Sequence, residues 1–307
     1  MANFLITGGT GFIGKKLVTQ LVNDGHEAIV VTRCPEKHEG AFAEKVRYIG
    51  SFKAIDNSTC FDAVINLGGE GIADKRWSAK RKQQLLDSRI GLTNHLVKCL
   101  GRLEKRPEVM ISASAVGWYG AHDETPLTED SAFHQEFSHT LCHAWEREAT
   151  AVGDLGIRLC VIRLGIVLGK NGGVLKRMLP PFYFGLGGRI GSGKQYMSWV
   201  HVNDVIRATH YLVNDIGLSG VFNLTAPGAV SNTQFTQAIG KVLARPVIFP
   251  LPAFVVKTVF GEMGERLLLM GQNVVPHNLL EAGFSFDFPE LDGALTNILI
   301  DGDSLRK

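Results

Sequence analysis

Phe4-Leu5-Ile6-Thr7-Gly8-Gly9-Thr10-Gly11-Phe12-Ile13-Gly14 is the stretch that decides the fold. A short apolar run ends in a glycine-rich turn, and an amphipathic segment, Lys15 to Asn23, follows at once. That order predicts a buried strand, a tight turn and a helix. Glycine has no Cβ, so the backbone N–H groups of such a turn can approach a pyrophosphate, and the helix N-terminus faces the anion with its positive dipole end. The spacing is Gly8-x-x-Gly11-x-x-Gly14. A glycine triplet alone is also compatible with an ordinary flexible turn. The strand before it and the helix after it favour a dinucleotide site. Thr7, Gly8, Thr10, Gly11, Phe12, Ile13 and Gly14 are its first candidate residues.

The next apolar run, Glu27 to Val31, ends in Thr32-Arg33. A dinucleotide site that prefers NAD carries an acidic residue at this tip, which accepts from the ribose hydroxyls. Arg33 offers no acceptor, and its guanidinium suits a 2′-phosphate. NADP(H) is therefore the expected cofactor, with Thr32 and Arg33 at its ribose. The alternative for Arg33 is a solvated surface side chain.

Apolar runs at 3–7, 27–32, 46–49, 62–66, 108–112 and 158–163 alternate with helical patterns near 12–23, 79–101 and 135–153. A seventh strand is expected at 221–224. Strand–helix alternation implies an α/β fold: a Rossmann-like, doubly wound parallel sheet with helices on both faces. Residues 165–199 are glycine-rich with Pro180-Pro181 at the centre, which suits a loop-rich lobe over a cleft. Beyond Ser231 the pattern reads as a helix over 232–243, then Pro250-Leu251-Pro252, then more helix to about Met270. The expected division is a nucleotide-binding domain from 1–165 plus about 200–225, and a smaller C-terminal substrate lobe and cap from 166–199 plus 226–307.

The 307 residues are 45% hydrophobic and 20% charged, which supports a sizeable core and excludes a disordered chain. A net charge of +2 gives no global field for nucleic acid or membrane, so neither is an expected partner. The five cysteines form no C-x-x-C pair, so no zinc ribbon or disulfide framework is expected. No apolar run reaches membrane-spanning length. The first strand begins at residue 3, so no leader is expected and a reducing cytoplasm is the expected compartment.

Four elements together resemble the extended short-chain dehydrogenase/reductases: the glycine turn, Asn66-Leu67-Gly68-Gly69, Ser112-Ala113-Ser114 leading to Tyr119-Gly120, and His201-Val202-Asn203-Asp204. More narrowly, Ser88-Arg89-Ile90, Trp145-Glu146, Arg163 to Gly169, Gly185 to Gly193 and Gly271-Gln272 resemble an atypical branch, the epimerase family proteins. Members of that branch are labelled nucleotide-sugar epimerases or cell-division-inhibitor homologues, and they carry their own C-terminal domain. The resemblance implies NADP(H) at the glycine turn and Arg33, with Asn66, Leu67, Gly68 and Gly69 along the cofactor. It also implies a small-molecule substrate. Gly50-Ser51-Phe52 departs from the Gly-Asp-Leu of many relatives, whose Asp bonds adenine.

The larger departure concerns chemistry. The superfamily's working members use a Tyr-x-x-x-Lys pair on one helix face, in which the lysine lowers the phenol pKa. No tyrosine here has a lysine four residues later; the family placement sets Leu141 and Trp145 at the two positions. Ser114 is the first catalytic candidate, although an ungapped alignment on Tyr119-Gly120 shifts that role to Ala115. Tyr119 is the second, with a packed aromatic as its alternative. His139, His143 and Glu146 share a helix face, read either as an acid/base replacement or as a solvated polar face; no metal site is expected. Cys142 reads as a small buried hydrophobe. Arg163 and Arg189 are candidates for an anionic substrate, and His201 is a candidate at the substrate lobe or a structural partner of Asp204. Two functions stay open: an NADP(H)-dependent oxidoreductase or nucleotide-sugar epimerase without the usual pair, and a non-catalytic NADPH-binding sensor.

Overall fold

A computed structural model describes residues 1–301 apart from 39, 41, 43, 44 and 171. Seven parallel strands form the central sheet: β1 (Asn3–Thr7), β2 (Glu27–Val31), β3 (Val46–Ile49), β4 (Ala63–Asn66), β5 (Val109–Ala115), β6 (Arg158–Leu164) and β7 (Gly220–Leu224). Their spatial order is β7-β6-β5-β4-β1-β2-β3, with β1 paired to both β2 and β4. The order reverses beside β1, so the carboxyl ends of β1 and β4 open the crevice where such sheets bind ligands.

The apolar runs become strands because both sheet faces are covered. In β1, Phe4 and Ile6 join one core with Leu17, Val18 and Leu21 of α1 (Phe12–Asn23). Leu5 points the other way, into a second core with Leu96 and Leu100 of α2 (Ala79–Gly101) and Ala149 of α3 (Phe137–Thr150). The Ser78 hydroxyl accepts from the Arg81 N–H and caps α2.

The segment after β6 is more ordered than its glycines suggest. Ile166–Leu168 pairs in parallel with Trp199–His201, and between them lies α4 (Leu175–Tyr183). Pro180 and Pro181 sit inside α4 instead of breaking it. The carbonyls that lose their partner N–H groups, on Lys176 and Arg177, belong to exposed residues, where facing solvent costs little. Next come α5 (Val202–Asn214), α6 (Asn232–Leu243), with a complete Ser231/Gln234 capping box, and α7 (Ala253–Gly264). Leu168, Leu175, Phe182, Trp199, Phe235, Ile239 and Leu295 form a separate core beneath this part of the chain. No helix among the described residues is long and apolar enough to cross a membrane.

Candidate nucleotide cleft and the site beside it

The β1–α1 turn is shaped by its glycines, and they divide the work. Gly8 lies in left-handed backbone (φ 69°), and a Cβ there would meet the Leu67 carbonyl oxygen at 2.6 Å. A Cβ on Gly14 would lie 2.2 Å from the Gly8 carbonyl oxygen. Both glycines are needed for the turn to close on itself, which it does through Gly11 N–H to Gly8 O at 3.0 Å. Gly11 differs: its φ is −79°, and a Cβ would meet only the Gly8 oxygen, at 3.2 Å. Its other side opens on a cleft of about 780 Å³, which Thr10, Thr32, Arg33, Leu67, Gly68 and Gly69 also line.

Thr7 and Asn66 stand beneath the cleft instead of in it. The Thr7 hydroxyl donates to Asn66 Oδ1 (2.7 Å) and accepts from Gly68 N–H (3.1 Å). Asn66 Nδ2 donates to Thr93 (3.0 Å) and Ser112 (3.2 Å). Both side chains are fully buried and brace the Gly68-Gly69 backbone. Phe12 also turns away from the cleft: Cβ atoms on Gly169 and Gly172 would fall 2.8 and 2.0 Å from its ring, so it packs the turn against the segment after β6. Ile13 packs on the core under α1, and Gly14 serves the turn.

Arg33 projects into solvent at the tip of β2, where its Nη1 lies 3.5 Å from Glu70. Glu70 is also bound by buried Arg81, whose guanidinium holds the carboxyl below its ordinary pKa. The sequence reading missed Glu70, Lys53 and the whole α2 side of the cleft. There Ser88, Gly91, Leu92, His95, Cys99 and Arg102 follow helical spacing, a stripe of small and polar residues that was the available signal. Ser51, at the position of the relatives' Asp, accepts from Lys53 N–H (3.2 Å).

At the carboxyl ends of β5 and β6, the polar candidates bind one another. Ser114 is 1% exposed and donates to Glu146 Oε1 at 2.5 Å. Glu146 accepts two bonds from Arg163, at 3.0 and 2.9 Å. Arg163 Nη1 donates to the Tyr119 hydroxyl (3.1 Å), which donates to Asn223 of β7 (2.7 Å). The Arg163 guanidinium also lies 3.7 Å from the centre of the Trp118 ring. Arg163 is 3% exposed, and Glu146, Tyr119 and the Glu129 carbonyl take its donors. This geometry redirects it from an external anion to an internal pair. Tyr119 is fully buried, as a packed aromatic would be, and burial pushes its pKa up to about 12.

The face of α3 that carries His139, His143 and Glu146 is not solvated as a unit. His139 is buried, bonds the Trp118 carbonyl (2.6 Å) and stacks on Phe133 at 3.7 Å. Glu146 belongs to the Arg163 pair, and His143 alone of the three is exposed. Cys142 is buried, and its thiol is pushed up to about 12, chiefly by that burial. Among the described residues no group of His, Cys, Asp and Glu could hold a metal ion.

Leu141 and Trp145 are closed off as well. Trp145 packs in the sheet core, and its indole N–H donates to Thr93 at 3.2 Å. Leu141 is covered by Trp77, Leu85 and Met263, with Phe137, Phe260 and Leu267 around them. Met263 and Phe260 come from α7, so the C-terminal part of the chain packs over Leu141, the position at which the resemblance sets the tyrosine. The ion pairs Lys82–Glu262 (2.7 Å) and Arg266–Glu136 (3.1 Å) flank this cluster.

Of the lobe candidates, Arg189 is exposed, whereas His201 is fully buried. His201 Nδ1 accepts from Asn203 N–H (3.1 Å) and caps α5, and its ring lies 4.0 Å from that of Phe288. The Asp204 carboxylate accepts from the Asp287 and Phe288 N–H groups, at 2.8 and 3.0 Å, and fastens the returning chain.

A Rossmann-like sheet with a glycine cradle at its crevice defines the class, a nucleotide-binding α/β protein. The chain belongs to the NAD dependent epimerase/dehydratase family, whose model matches residues 4–225. A domain of unknown function, DUF1731, matches residues 251–298. The chain is 37% identical over 302 residues to the epimerase family protein YfhF of Bacillus subtilis, covering 97% of this chain and 98% of that one. It is 36% identical over 299 residues to human epimerase family protein SDR39U1, covering 96% and 99%. The crystal structure of human SDR39U1 (isoform 2) with NADPH superposes with a TM-score of 0.89 at 35% identity, covering 99% of this chain and all of that one.

Proposed function

We propose that this protein binds NADP(H) across the β1–α1 turn, with the 2′-phosphate at Arg33. The observation that carries this reading is Gly11. It is the one glycine of the three whose missing Cβ leaves room on the cleft side, at a helix N-terminus, beside an exposed guanidinium. The donor set fits a dinucleotide phosphate: backbone N–H groups for the pyrophosphate and a forked cation for the 2′-phosphate. The relative crystallised with NADPH supports the same reading. When bound, the nicotinamide supplies a hydride donor or acceptor.

Proton transfer is the part this chain handles in its own way. The positions of the Tyr–Lys pair hold packed Leu141 and Trp145, and Tyr119 keeps its proton. The protein is therefore an NADP(H) binder without the family's acid/base pair, and the reading we favour is a cofactor-dependent regulator. The short Ser114–Glu146 hydrogen bond supports a second reading, an oxidoreductase or epimerase. In that reading Ser114 Oγ accepts a substrate proton while passing its own to Glu146. Calorimetry with NADPH, and a turnover screen of wild type, Ser114→Ala and Glu146→Gln on small carbonyl compounds and sugar nucleotides, separate the two. NADPH binding without turnover supports the regulator. Turnover lost in both variants supports the enzyme. Absence of NADPH binding would refute the shared premise.

A further inference from the structure

The charges of this chain are segregated. Between Asp154 and Asp204 there is no Asp or Glu, and between Asp215 and Glu262 there is again none. These two acid-free segments lie side by side after α4. Phe249 N–H donates to Gly187 O (3.2 Å), Leu251 N–H donates to Arg189 O (2.8 Å), and a Cβ on Gly185 would lie 3.6 Å from the Pro246 ring. The seam presents apolar side chains outward: Phe184 is 81% exposed, Ile248 69%, Leu186 56% and Phe249 52%. Val247, next to Ile248, points inward against Gly240. Exposed Arg189, Lys194 and Arg245 flank the seam and make no ion pair among the described residues.

Adjacent apolar side chains of this size on an exposed surface mark an interaction site. The surrounding charge selects the occupant. A second copy docked by two-fold symmetry would bring the cations Arg189, Lys194 and Arg245 towards their own copies. We propose that this seam is a peripheral membrane-contact surface for anionic lipid. Phe184, Leu186, Ile248 and Phe249 enter the headgroup–acyl boundary, and Arg189, Lys194 and Arg245 lie at the phosphates. The near-neutral net charge of the whole chain hides this local field. The inference is independent of the cofactor site.

The test is co-sedimentation of the full-length protein with vesicles of phosphatidylcholine alone, or with 30% phosphatidylglycerol. Binding is expected only to the anionic vesicles, and it should fall in 0.5 M salt. Each cation near such a surface contributes about fivefold, so Lys194→Glu with Arg245→Glu should weaken binding about twenty-fivefold or more. Phe184→Ser with Ile248→Ser should abolish it while the melting temperature is kept, since both side chains are already exposed. No sedimentation with anionic vesicles overturns the proposal, as does sedimentation untouched by both double variants. So does a dimer that the Phe184/Ile248 variant disperses, or an acidic protein partner bound at the seam without vesicle binding.

Discussion

At Arg33 the guanidinium reaches one carboxylate among the described residues, Glu70 at 3.5 Å, and that carboxylate is held mainly by Arg81. Arg33 can therefore turn to a 2′-phosphate without stranding a buried charge. Hydrogen bonds to charged groups contribute roughly 1.5–3 kcal/mol, about ten- to a hundredfold in affinity. Arg33→Ala is expected to lose that much NADPH affinity and to leave NADH affinity unchanged, by calorimetry. The glycines make a sharper comparison. Gly11→Val keeps an ordinary backbone angle, and the Gly8 carbonyl oxygen, 3.2 Å from the added Cβ, has to give only by a few tenths of an ångström, so the protein should fold with a small loss in melting temperature while NADPH binding disappears. Gly8→Ala forces a side chain into left-handed backbone against the Leu67 carbonyl, so it should lower stability by about 1–3 kcal/mol in urea unfolding.

Among the elements, the tie between α3 and the strand ends carries the most strongly coupled groups. Glu146→Gln leaves Arg163 charged and buried with no counter-ion. Breaking a buried pair from one side typically costs about 3–5 kcal/mol, and a loss of that size is expected in urea unfolding at neutral pH. Loss of turnover without this destabilisation would instead make Glu146 a proton acceptor with little structural role. Placing a Tyr–Lys pair where the resemblance sets it, with Leu141→Tyr and Trp145→Lys, should not create activity. The lysine would enter the sheet core and the tyrosine would meet Met263, so the melting temperature should fall instead.

The strands and α1–α3 could be read from the sequence because each is a long apolar run or a clear helical stripe with a marked start, such as Ser78 before α2. The shape of the glycine turn was equally readable, because it depends on neighbours close in the chain. The Ser114–Glu146–Arg163–Tyr119–Asn223 chain was not, since Tyr119 and Asn223 alone are 104 positions apart and only the folded sheet aligns them. The same applies to Leu141: the resemblance sets a tyrosine position there, and only the fold shows α7 packed on it. Pro180-Pro181 misled for a local reason, because the exposure of two carbonyls cannot be read from residue types.

For the whole molecule, the C-terminal part behaves as a cover. Met263, Phe260 and Leu267 shield Leu85, Leu141 and Trp77 of the sheet domain. Removing residues beyond 250 should expose that surface. The shortened chain is expected to bind a hydrophobic dye strongly and to unfold without a sharp transition, and calorimetry with dye fluorescence reads both.

The hydrogen bond from Tyr119 to Asn223 also bears on how the chain reaches its native state. A polypeptide emerging from the ribosome has made the Ser114, Tyr119, Glu146 and Arg163 side chains long before residue 223 exists. Until β7 arrives, a cation and its carboxylate wait at an open sheet edge, exposed to water and to other chains. Closing a loop of that length is slow compared with helix formation or hairpin zipping. The rate-limiting step of folding should therefore be the docking of β7 on β6. In pulse-labelled hydrogen exchange, protection of β6 should then appear together with β7 and after β1, β2 and α1.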